Sequence, residues 1–243
     1  MKKLPKFDDQ NIDLPYGISV QKGIVDNFSG IQKFGYNSSV GSSFETVWTD
    51  GTDLYVYPTT ATTAVATSSS TDDNGSTVHV FGLDENFDLA DEVITVGGSA
   101  STTTFIRMHR AFVASANTGV VNVGNITVTV DSKTGAYISA GYGQTLQSIY
   151  TIPRNYRGYL MSFDIGNSKD VELEAKIMAR PINGNTFQTK AFQTIRGGAF
   201  RKEYLIPEVF TEKTDIEMRA KASATSSVSG GFELLLEDVT YSA

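Results

Sequence analysis

The stretch VELEAKIMA (171–179) alternates between apolar and charged residues, and it decides the fold class. Its alternating apolar residues are Val171, Leu173, Ala175 and Ile177. A second stretch, DIEMRAKA (215–222), has the same alternation. Because the side chains of a strand point alternately to its two faces, both stretches predict antiparallel strands with one covered face and one solvent face. The Glu, Ala, Leu and Lys content of VELEAKIMA also permits a helix, but the period of two favours a strand.

Shorter alternating or apolar runs fill the rest of the chain, and Gly, Asn and Asp separate them. In ITVTV (126–130), the Ile and both Val residues face one way and the threonines the other, which is typical of a half-buried strand. SKTG (132–135) follows this run and predicts a hairpin loop. The other predicted strands are residues 44–48, 54–57, 61–67, 77–81, 92–96, 105–112, 137–140, 159–165 and 232–236.

These strands predict an all-β protein, an antiparallel β-sandwich or jelly roll built from two tandem β-domains. Residues 1–22 are polar, contain two prolines and show neither the helical nor the strand period, so we expect an extended N-terminal arm. A turn-rich segment near residues 141–148 indicates a domain boundary. It separates a β-rich domain at 23–147 from a C-terminal β-sandwich domain at 148–243.

The composition excludes several classes of protein. The 243 residues carry a net charge of −7, and no cluster of Lys and Arg concentrates the positive charge that phosphate binding needs, so nucleic acid is not an expected partner. No apolar run has the length of a membrane span, and no apolar segment follows the basic first residues, so we expect neither a membrane nor a secretory signal. The lack of cysteine excludes disulfides and suits synthesis in a reducing cytoplasm.

Residues with catalytic chemistry are scattered. His79 and His109 lack metal-ligand spacing, so structural roles are expected. Neighbouring carboxylates on a strand point to opposite faces and do not converge on one glycosidic bond. Such pairs are Asp72/Asp73, Asp84/Glu85, Asp91/Glu92 and Glu237/Asp238. With no nucleophile, phosphate-loop or zinc motif, we expect no catalytic, cofactor or metal site and no enzyme; a polysaccharide hydrolase with carboxylates from distant positions is the alternative.

Residues 59–77, TTATTAVATSSSTDDNGST, are unusually rich in Ser and Thr. With Gly75 at the sixth position of a calcium loop, the first, third and fifth positions supply oxygens, but the twelfth is Phe81 where the loop needs a bidentate Glu. An irregular Ca²⁺ site stays an alternative to a turn capped by Asx side chains. We expect a Thr-rich strand over 61–67, and after it an exposed loop over 68–74 that contacts a neighbouring subunit.

A group of aromatic residues permits stacking on sugars if the rings share one exposed face. The alternative is that these rings fill a sandwich core or a subunit interface, and this alternative is favoured. The group consists of Trp48, Tyr55, Tyr57, Tyr142, Tyr150, Tyr156 and Tyr159.

Several stretches together resemble a recurrent pattern in virion proteins of tailed bacteriophages, particularly marine ones. The resemblance covers most of residues 30–240, but it includes no catalytic residue. The stretches are FGYNSSVG (34–41), ETVWTDG (45–51), SSSTDDNGS (68–76), VHVFGLDENF (78–87), FIRMHRA (105–111), YTIPRNYRGYL (150–160) and IPEVFTEKTDIEMRA (206–220).

The resemblance implies a structural role in the virion after synthesis in the host cytoplasm. We expect a head-surface decoration or cement protein that binds the major capsid protein or other virion proteins and forms a homo-oligomer, with a trimer suited to local threefold positions of a capsid. The alternative is a tail, fibre or vertex component that recognises host glycans through exposed Tyr or Trp.

Overall fold

A computed structural model describes residues 15–49 and 53–240, and nearly all of its regular structure is β. A short 3-10 helix spans Thr71–Asp73. The other elements are α1 (Tyr16–Gln21), β1 (Phe28–Val40), β2 (Glu45–Thr46), β3 (Thr62–Thr63), β4 (Val65–Ser68), β5 (Thr77–Leu83), β6 (Leu89–Thr95), β7 (Thr104–Phe105), β8 (Arg107–Ser115), β9 (Ile126–Val130), β10 (Lys133–Ile138), β11 (Ile149–Thr151), β12 (Tyr156–Arg180), β13 (Gln188–Phe210), β14 (Asp215–Ala222) and β15 (Ser226–Asp238). The predicted all-β antiparallel fold class is confirmed.

The largest sheet in the described residues has seven antiparallel strands. Its main order is β1-β15-β12-β14-β11, with β13 added to β12 and β2 added to β14. The neighbours of β12 change along its length, because residues 156–167 pair with β15 and residues 173–180 pair with β14. β13 follows both parts of β12 on its other side.

A corner in β12 and β13 folds this sheet into a sandwich. The register jumps between Asn167 and Glu172, and on the facing strand Gly197 and Gly198 have positive φ of 62° and 69°. Glycine enters this left-handed region at no steric cost, so both strands change direction here. A straight strand of the length of β13 would extend about 75 Å, yet Lys190 and Glu208 near its two ends form an ion pair of 2.9 Å. The two parts of β13 therefore lie in two layers.

The core of the sandwich takes side chains from both layers. Phe163 and Phe232 come from the layer of β15, and Ile177 and Met218 from the layer of β14; all four are essentially fully buried. An added Cβ at Gly230 would lie 2.7 Å from the Met218 sulfur, so the layers are in direct contact. Burial of side chains of this size contributes about 1.5–3 kcal/mol each. We call this part of the molecule the sandwich lobe.

The remaining strands form three small antiparallel sheets, β10-β9-β4, β3-β7 and β6-β5-β8, around a second core. In β9, Ile126, Val128 and Val130 are fully buried while Thr127 and Thr129 are half-buried, as ITVTV predicts. We call this part the small-sheet lobe.

The charged face of β14 is not open to solvent, because Arg219 and Lys221 are half-buried and Glu217 is buried, so the solvent face predicted for DIEMRAKA is wrong. Glu217 is completely buried, forms an ion pair with Arg219 and accepts a hydrogen bond from Thr46 Oγ1 at 3.2 Å. β2 pairs with the edge of β14, and from there the Thr46 side chain reaches Glu217. β2 lies within the strand predicted at 44–48, but the sequence does not show that it pairs with β14. On VELEAKIMA, by contrast, Glu172 is exposed as predicted.

The turn between β9 and β10 lies earlier than predicted. Asp131 and Ser132 have φ of 52° and 57°, the conformation of a two-residue type I′ hairpin turn. β10 begins at the next residue, so the loop predicted at 132–135 overlaps this strand. An added Cβ at Gly135 would lie 2.6 Å from Met108 Cγ, which makes this glycine part of an irregularity packed on the core.

Two long strands, β1 and β13, follow no clear pattern in the sequence. β1 buries Lys33 and Asn37 and exposes Phe34, the reverse of the usual polarity. In β13, Gly197 and Gly198 interrupt the period at the corner. Residues 54–57, predicted as a strand, form no regular element and pair with no strand in the described part of the chain.

The predicted extended arm, residues 1–22, lies mainly outside the described residues. Within its described part, Tyr16–Gln21 form helix α1 and not an extended chain.

The domain boundaries remain a prediction. β1 and β2, which belong to the predicted domain at 23–147, pair with strands of the sandwich lobe. Across residues 15–49 and 53–240, no helix has both the length and the apolar character to cross a membrane.

Candidate functional site

A buried cluster of charges joins the two lobes. Arg107, at the start of β8, forms a bidentate pair with Asp215, at the start of β14, with N···O distances of 2.7 and 3.0 Å. Arg180 Nη2 and Thr151 Oγ1 donate to the same carboxylate, each at 2.7 Å. Arg107 also donates to the carbonyl oxygen of Pro58 at 2.7 Å. The Asp215 carboxylate is thus fully surrounded by protein donors, which suits a structural junction between the lobes.

An aromatic stack continues from this junction. Ring centroids of Trp48 and Tyr55 lie 5.0 Å apart, those of Tyr55 and Tyr57 lie 4.8 Å apart, and Phe187 follows Tyr57 at 5.7 Å. The guanidinium of Arg180 lies 5.1 Å from the Tyr57 ring centroid. The prediction that the aromatic group fills a core is confirmed for the buried members Trp48, Tyr55, Tyr57 and Tyr150. Tyr156 and Tyr159 are half-buried, and Tyr142 is exposed.

Both histidines make structural contacts, in different places. His79 Nε2 lies 2.7 Å from Asp91, and its ring packs against Phe81. His109 is buried at the junction of the lobes, where its Nε2 accepts a hydrogen bond from the Thr151 backbone N–H at 3.2 Å. Burial lowers the pKa of His109 well below its ordinary value, and nearby positive charges lower it further. No group of three or more metal-ligating side chains occurs in the described residues.

Lys33 points from β1 into the junction of the lobes and is buried there. Its Nζ donates to the carbonyl oxygen of His109, and it forms no ion pair with any described carboxylate. Burial lowers the pKa of Lys33 to about 7, and the charge of Arg110 acts in the same direction. A buried amine without a carboxylate destabilises the folded state as long as it is protonated.

We expect Lys33→Met to remove part of the pH dependence of stability between pH 7 and 9. The Lys33 pKa is about 7 in the folded protein and near its ordinary value of 10.5 in the unfolded chain, so the unfolded chain binds up to one more proton in this window. Stability then rises with pH by about 1.4 kcal/mol per unit from this group. Urea unfolding at pH 7, 8 and 9 measures the slope. Lys22→Met, at an exposed position, is the control; equal slopes for wild type and Lys33→Met would contradict the assignment.

In the pairs of carboxylates that are adjacent in the sequence, the two side chains contact different partners. Asp91 binds His79, whereas Glu92 on the other face of β6 accepts hydrogen bonds from the backbone N–H groups of Thr102 and Thr103 at 2.8–3.1 Å. In the Asp84/Glu85 pair, Asp84 caps a tight turn by accepting backbone N–H groups. The pairs thus behave as neighbours on a strand or turn do, pointing to different partners.

The Ser/Thr-rich stretch 59–77 is anchored to the chain itself. It contains β3 and β4, in agreement with the strand predicted over 61–67. In the loop that follows, the buried carboxylate of Asp73 accepts hydrogen bonds from Ser68 Oγ at 2.6 Å, Val123 N at 2.7 Å and Gly124 N at 2.8 Å. These contacts tie this loop to a second loop before β9. The local turn is capped by Ser70, whose Oγ accepts a hydrogen bond from the Asp72 backbone N–H at 3.3 Å, so the cap is a serine and not the predicted Asx side chain. Contact with a neighbouring subunit remains a prediction.

Asp73→Ala is expected to lower the free energy of unfolding by about 2–3 kcal/mol, because the buried Gly124 N–H, the part-buried Val123 N–H and the Ser68 hydroxyl lose a charged acceptor. Asp72→Ala is the matched control: its side chain is exposed, and we expect a change within about 0.5 kcal/mol. Chemical denaturation of both variants checks the difference. Equal effects of the two substitutions would rule out the anchoring role of Asp73.

The outer edge of β13 is the largest open strand edge in the described residues. β13 pairs with β12 on one side, and no described strand pairs with its other side. Between Leu160↔Glu208 and Ser162↔Glu203 the register shifts, so residues 204–207 bulge from the sheet. Tyr204 in this bulge packs toward the sandwich core, whereas Leu205 and Ile206 point away from the protein and are 99% and 84% exposed. We call these two side chains the Leu205–Ile206 pair.

Comparison with known proteins gives little similarity. No family model matches the chain, and no curated protein sequence matches it. A solved structure of infectious bursal disease virus, Gx strain, aligns with 94% of this chain and 78% of the matched chain at 10% identity, with a TM-score of 0.26. A structure of the Gt strain aligns with 92% of this chain and 76% of the matched chain at 11% identity, with a TM-score of 0.21. Both are virus structures, and TM-scores this low support no conclusion about fold or function.

Proposed function

We propose that this protein is a non-enzymatic structural component of a tailed-bacteriophage particle. Its place is the head surface, where it acts as a decoration or cement protein by binding capsid subunits. The protein is made in the host cytoplasm, forms homo-oligomers, and needs neither a cofactor nor nucleic acid nor a membrane. The resemblance of residues 30–240 to phage virion proteins supports the phage origin, and the surface of β13 supports a role in binding.

The observation that carries this proposal is the exposed Leu205–Ile206 pair. Leu205 and Ile206 are adjacent and almost fully exposed, and contiguous exposed apolar surface marks interaction sites. Burial of each side chain at an interface contributes about 1.5–3 kcal/mol. A protein that assembles on a particle gains this stabilisation once its neighbour is in place.

The rest of the β13 edge restricts how a partner can bind. Pro207 lacks an N–H for strand pairing, and the bulge of residues 204–207 breaks the flat edge. Ion-paired charges such as Lys190 and Arg201 lie along the same strand. These features disfavour the pairing of an arbitrary partner strand with the open edge of β13. The contact is thus made through side chains, with the Leu205–Ile206 pair filling an apolar pocket of the capsid subunit.

Re-binding to stripped capsids tests this proposal. Particles freed of the protein are mixed with purified wild type or with the double variant Leu205→Asp/Ile206→Asp, and bound protein is measured after sedimentation. We expect wild type to bind and the double variant to lose at least tenfold in affinity. Val120→Asp is the matched control, since Val120 is 93% exposed in a different loop. Undiminished binding of the double variant, or equal loss with Val120→Asp, would contradict this surface.

A second candidate is a tail, fibre or vertex component that recognises host glycans. The observation that favours it is an open groove on the outer face of the sandwich lobe. The exposed aromatic side chains of Phe34 and Tyr142 line this groove. Immunogold labelling of intact particles separates the two candidates, because the proposed function requires label over the head.

A further inference from the structure

The sheet β6-β5-β8 has an apolar outer face in addition to the inner face that packs on the core of the small-sheet lobe. Val78 and Val80 of β5 are fully buried on the inner face. His79 and Phe81 alternate with them, so they point outward, and both are half-buried. On the edge strand β6, the outward Val93 is 52% exposed. The outer side of an antiparallel sheet usually carries polar residues, so this face departs from the normal pattern.

Aromatic rings form the centre of this outer face. The ring centroid of Phe81 lies 4.1 Å from that of His79 and 5.7 Å from that of Phe112 on β8. Val93 lies beside His79 on β6, and Leu89, which is 60% exposed, extends the apolar surface along the same strand. We call these five side chains the small-sheet face. Contiguous exposed apolar surface of this kind marks an interaction site.

Two opposite charges stand on either side of Phe81. Phe81 pairs with Asp91 on β6 and with Arg110 on β8. Because neighbouring strands lie about 4.8 Å apart, the backbones of Asp91 and Arg110 are about 10 Å from each other, with Phe81 between them. Asp91 contacts His79 but stays 58% exposed. Arg110 is exposed and donates to the Gln144 side chain at 3.0 Å, and it forms no ion pair with a carboxylate of the described residues.

This arrangement of charges is complementary to a second copy of itself. A twofold axis that runs parallel to β5 above Phe81 places β6 of each copy over β8 of the other. Asp91 of each copy then lies opposite Arg110 of the second copy. A twofold axis perpendicular to the strands would instead place Asp91 on Asp91 and Arg110 on Arg110. A twofold interface requires such a self-complementary patch, and only the first axis provides it here.

We propose that two copies of this chain pair through their small-sheet faces, with a twofold axis parallel to β5. The two sheets then pack as the aligned layers of a β-sandwich do, and Val93 of each copy contacts Phe112 of the other. Ion pairs between Asp91 and Arg110 lie at both margins of the contact and fix the relative orientation of the copies. This contact gives the proposed homo-oligomer one defined interface, and to that extent it rests on the proposed function.

The size of the small-sheet face sets the strength of the pairing. Three strands with about seven residues each cover about 300 Å² on each copy. A stable dimer usually buries about 800 Å² per partner, so we expect a weak dimer with a dissociation constant between about 1 µM and about 1 mM. Copies held side by side on a particle act at effective concentrations on the order of 1 mM, at which this contact is occupied.

Sedimentation equilibrium of the purified full chain, from about 10 µM to about 1 mM, tests this pairing. We expect wild type to dimerise. Asp91→Arg alone and Arg110→Asp alone should each weaken dimerisation at least tenfold, because each puts like charges opposite each other at both margins. In an equimolar mixture of these two variants, a mixed dimer regains both ion pairs. We expect this mixture to associate about as tightly as wild type, which also shows that both variants are folded.

Asp170→Arg and Arg196→Asp are the matched controls. These residues form an exposed ion pair at the corner of the sandwich lobe, away from the small-sheet face, so we expect both variants to dimerise like wild type. Val93→Asp tests the apolar part of the contact separately. It places a charge on an exposed position of the small-sheet face, and we expect at least a tenfold loss of dimerisation.

Four results would overturn the twofold contact. These are a monomer at about 1 mM, a trimer in place of the dimer, a dimer that the small-sheet variants do not weaken, and a mixture of Asp91→Arg and Arg110→Asp that associates no better than either variant alone. Capsid re-binding is a separate measurement on the Leu205–Ile206 pair. Wild type that re-binds capsids but stays monomeric overturns this inference alone, whereas wild type that dimerises but does not re-bind overturns the proposed function alone.

Discussion

Asp215→Ala is expected to lower the free energy of unfolding by about 3–5 kcal/mol, because it breaks a buried ion pair by removing one partner. The substitution leaves Arg107 buried at the junction of the lobes without its carboxylate, and it also removes the acceptor of Thr151 and Arg180. An unpaired buried guanidinium cannot regain water unless the lobes separate. We therefore expect the substitution to loosen the contact between the sandwich lobe and the small-sheet lobe.

Urea unfolding monitored by tryptophan fluorescence measures this effect, because Trp48 is buried in the aromatic stack that continues from this junction. The matched control is Asp170→Ala. Asp170 also pairs with an arginine, Arg196, but both side chains are largely exposed, so the loss should stay within about 1 kcal/mol. A loss at Asp215 no larger than the loss at Asp170 would show that the junction contributes little to stability.

Gly35→Ala is expected to destabilise the protein by about 3 kcal/mol or more, because it overpacks a contact between backbones. A Cβ at this position would lie 2.0 Å from the Val47 carbonyl oxygen and 2.7 Å from the Ser148 nitrogen. Ser148 N–H donates to that same Val47 oxygen at 3.1 Å, so neither atom can retreat without breaking a hydrogen bond. The methyl group therefore forces β1 away from these two segments.

Gly17→Ala is the control for this prediction. No atom lies within 4 Å of the added Cβ at Gly17, and the residue is part of helix α1, where alanine is favoured by up to about 1 kcal/mol. Thermal unfolding of both variants should show a clearly lower midpoint for Gly35→Ala and an unchanged or higher midpoint for Gly17→Ala. A wild-type midpoint for Gly35→Ala would contradict the close approach of the backbones.

The sequence predicts the positions of individual strands better than it predicts which faces of those strands are buried. Alternation in DIEMRAKA identifies β14 correctly, because the period of two is a local property of the strand. It cannot report that Glu217 is completely buried, because the burial of this side chain depends on segments far away in the chain, such as β2 with Thr46. The same limit hides the pair of Arg107 and Asp215, two ordinary charged residues until the lobes bring them together.

The surfaces proposed for binding are those that the sequence pattern predicts least well. β13 combines a glycine corner with a bulge, so its apolar residues follow no single period, and Leu205 appears in the sequence as one more aliphatic residue. On β1, the aromatic side chain of Phe34 occupies an outward position that alternation usually gives to a polar residue. Where local pattern and three-dimensional position disagree in this way, function is a frequent reason.

Reconstruction of the phage particle by electron cryomicroscopy tests the central claim most directly. We expect density for this protein in many symmetric copies on the outer surface of the head, with the Leu205–Ile206 pair in contact with a capsid subunit. Absence of the protein from purified particles would contradict a structural role. Density confined to the tail, or a head location with the Leu205–Ile206 pair facing solvent, would contradict the proposed mode of binding.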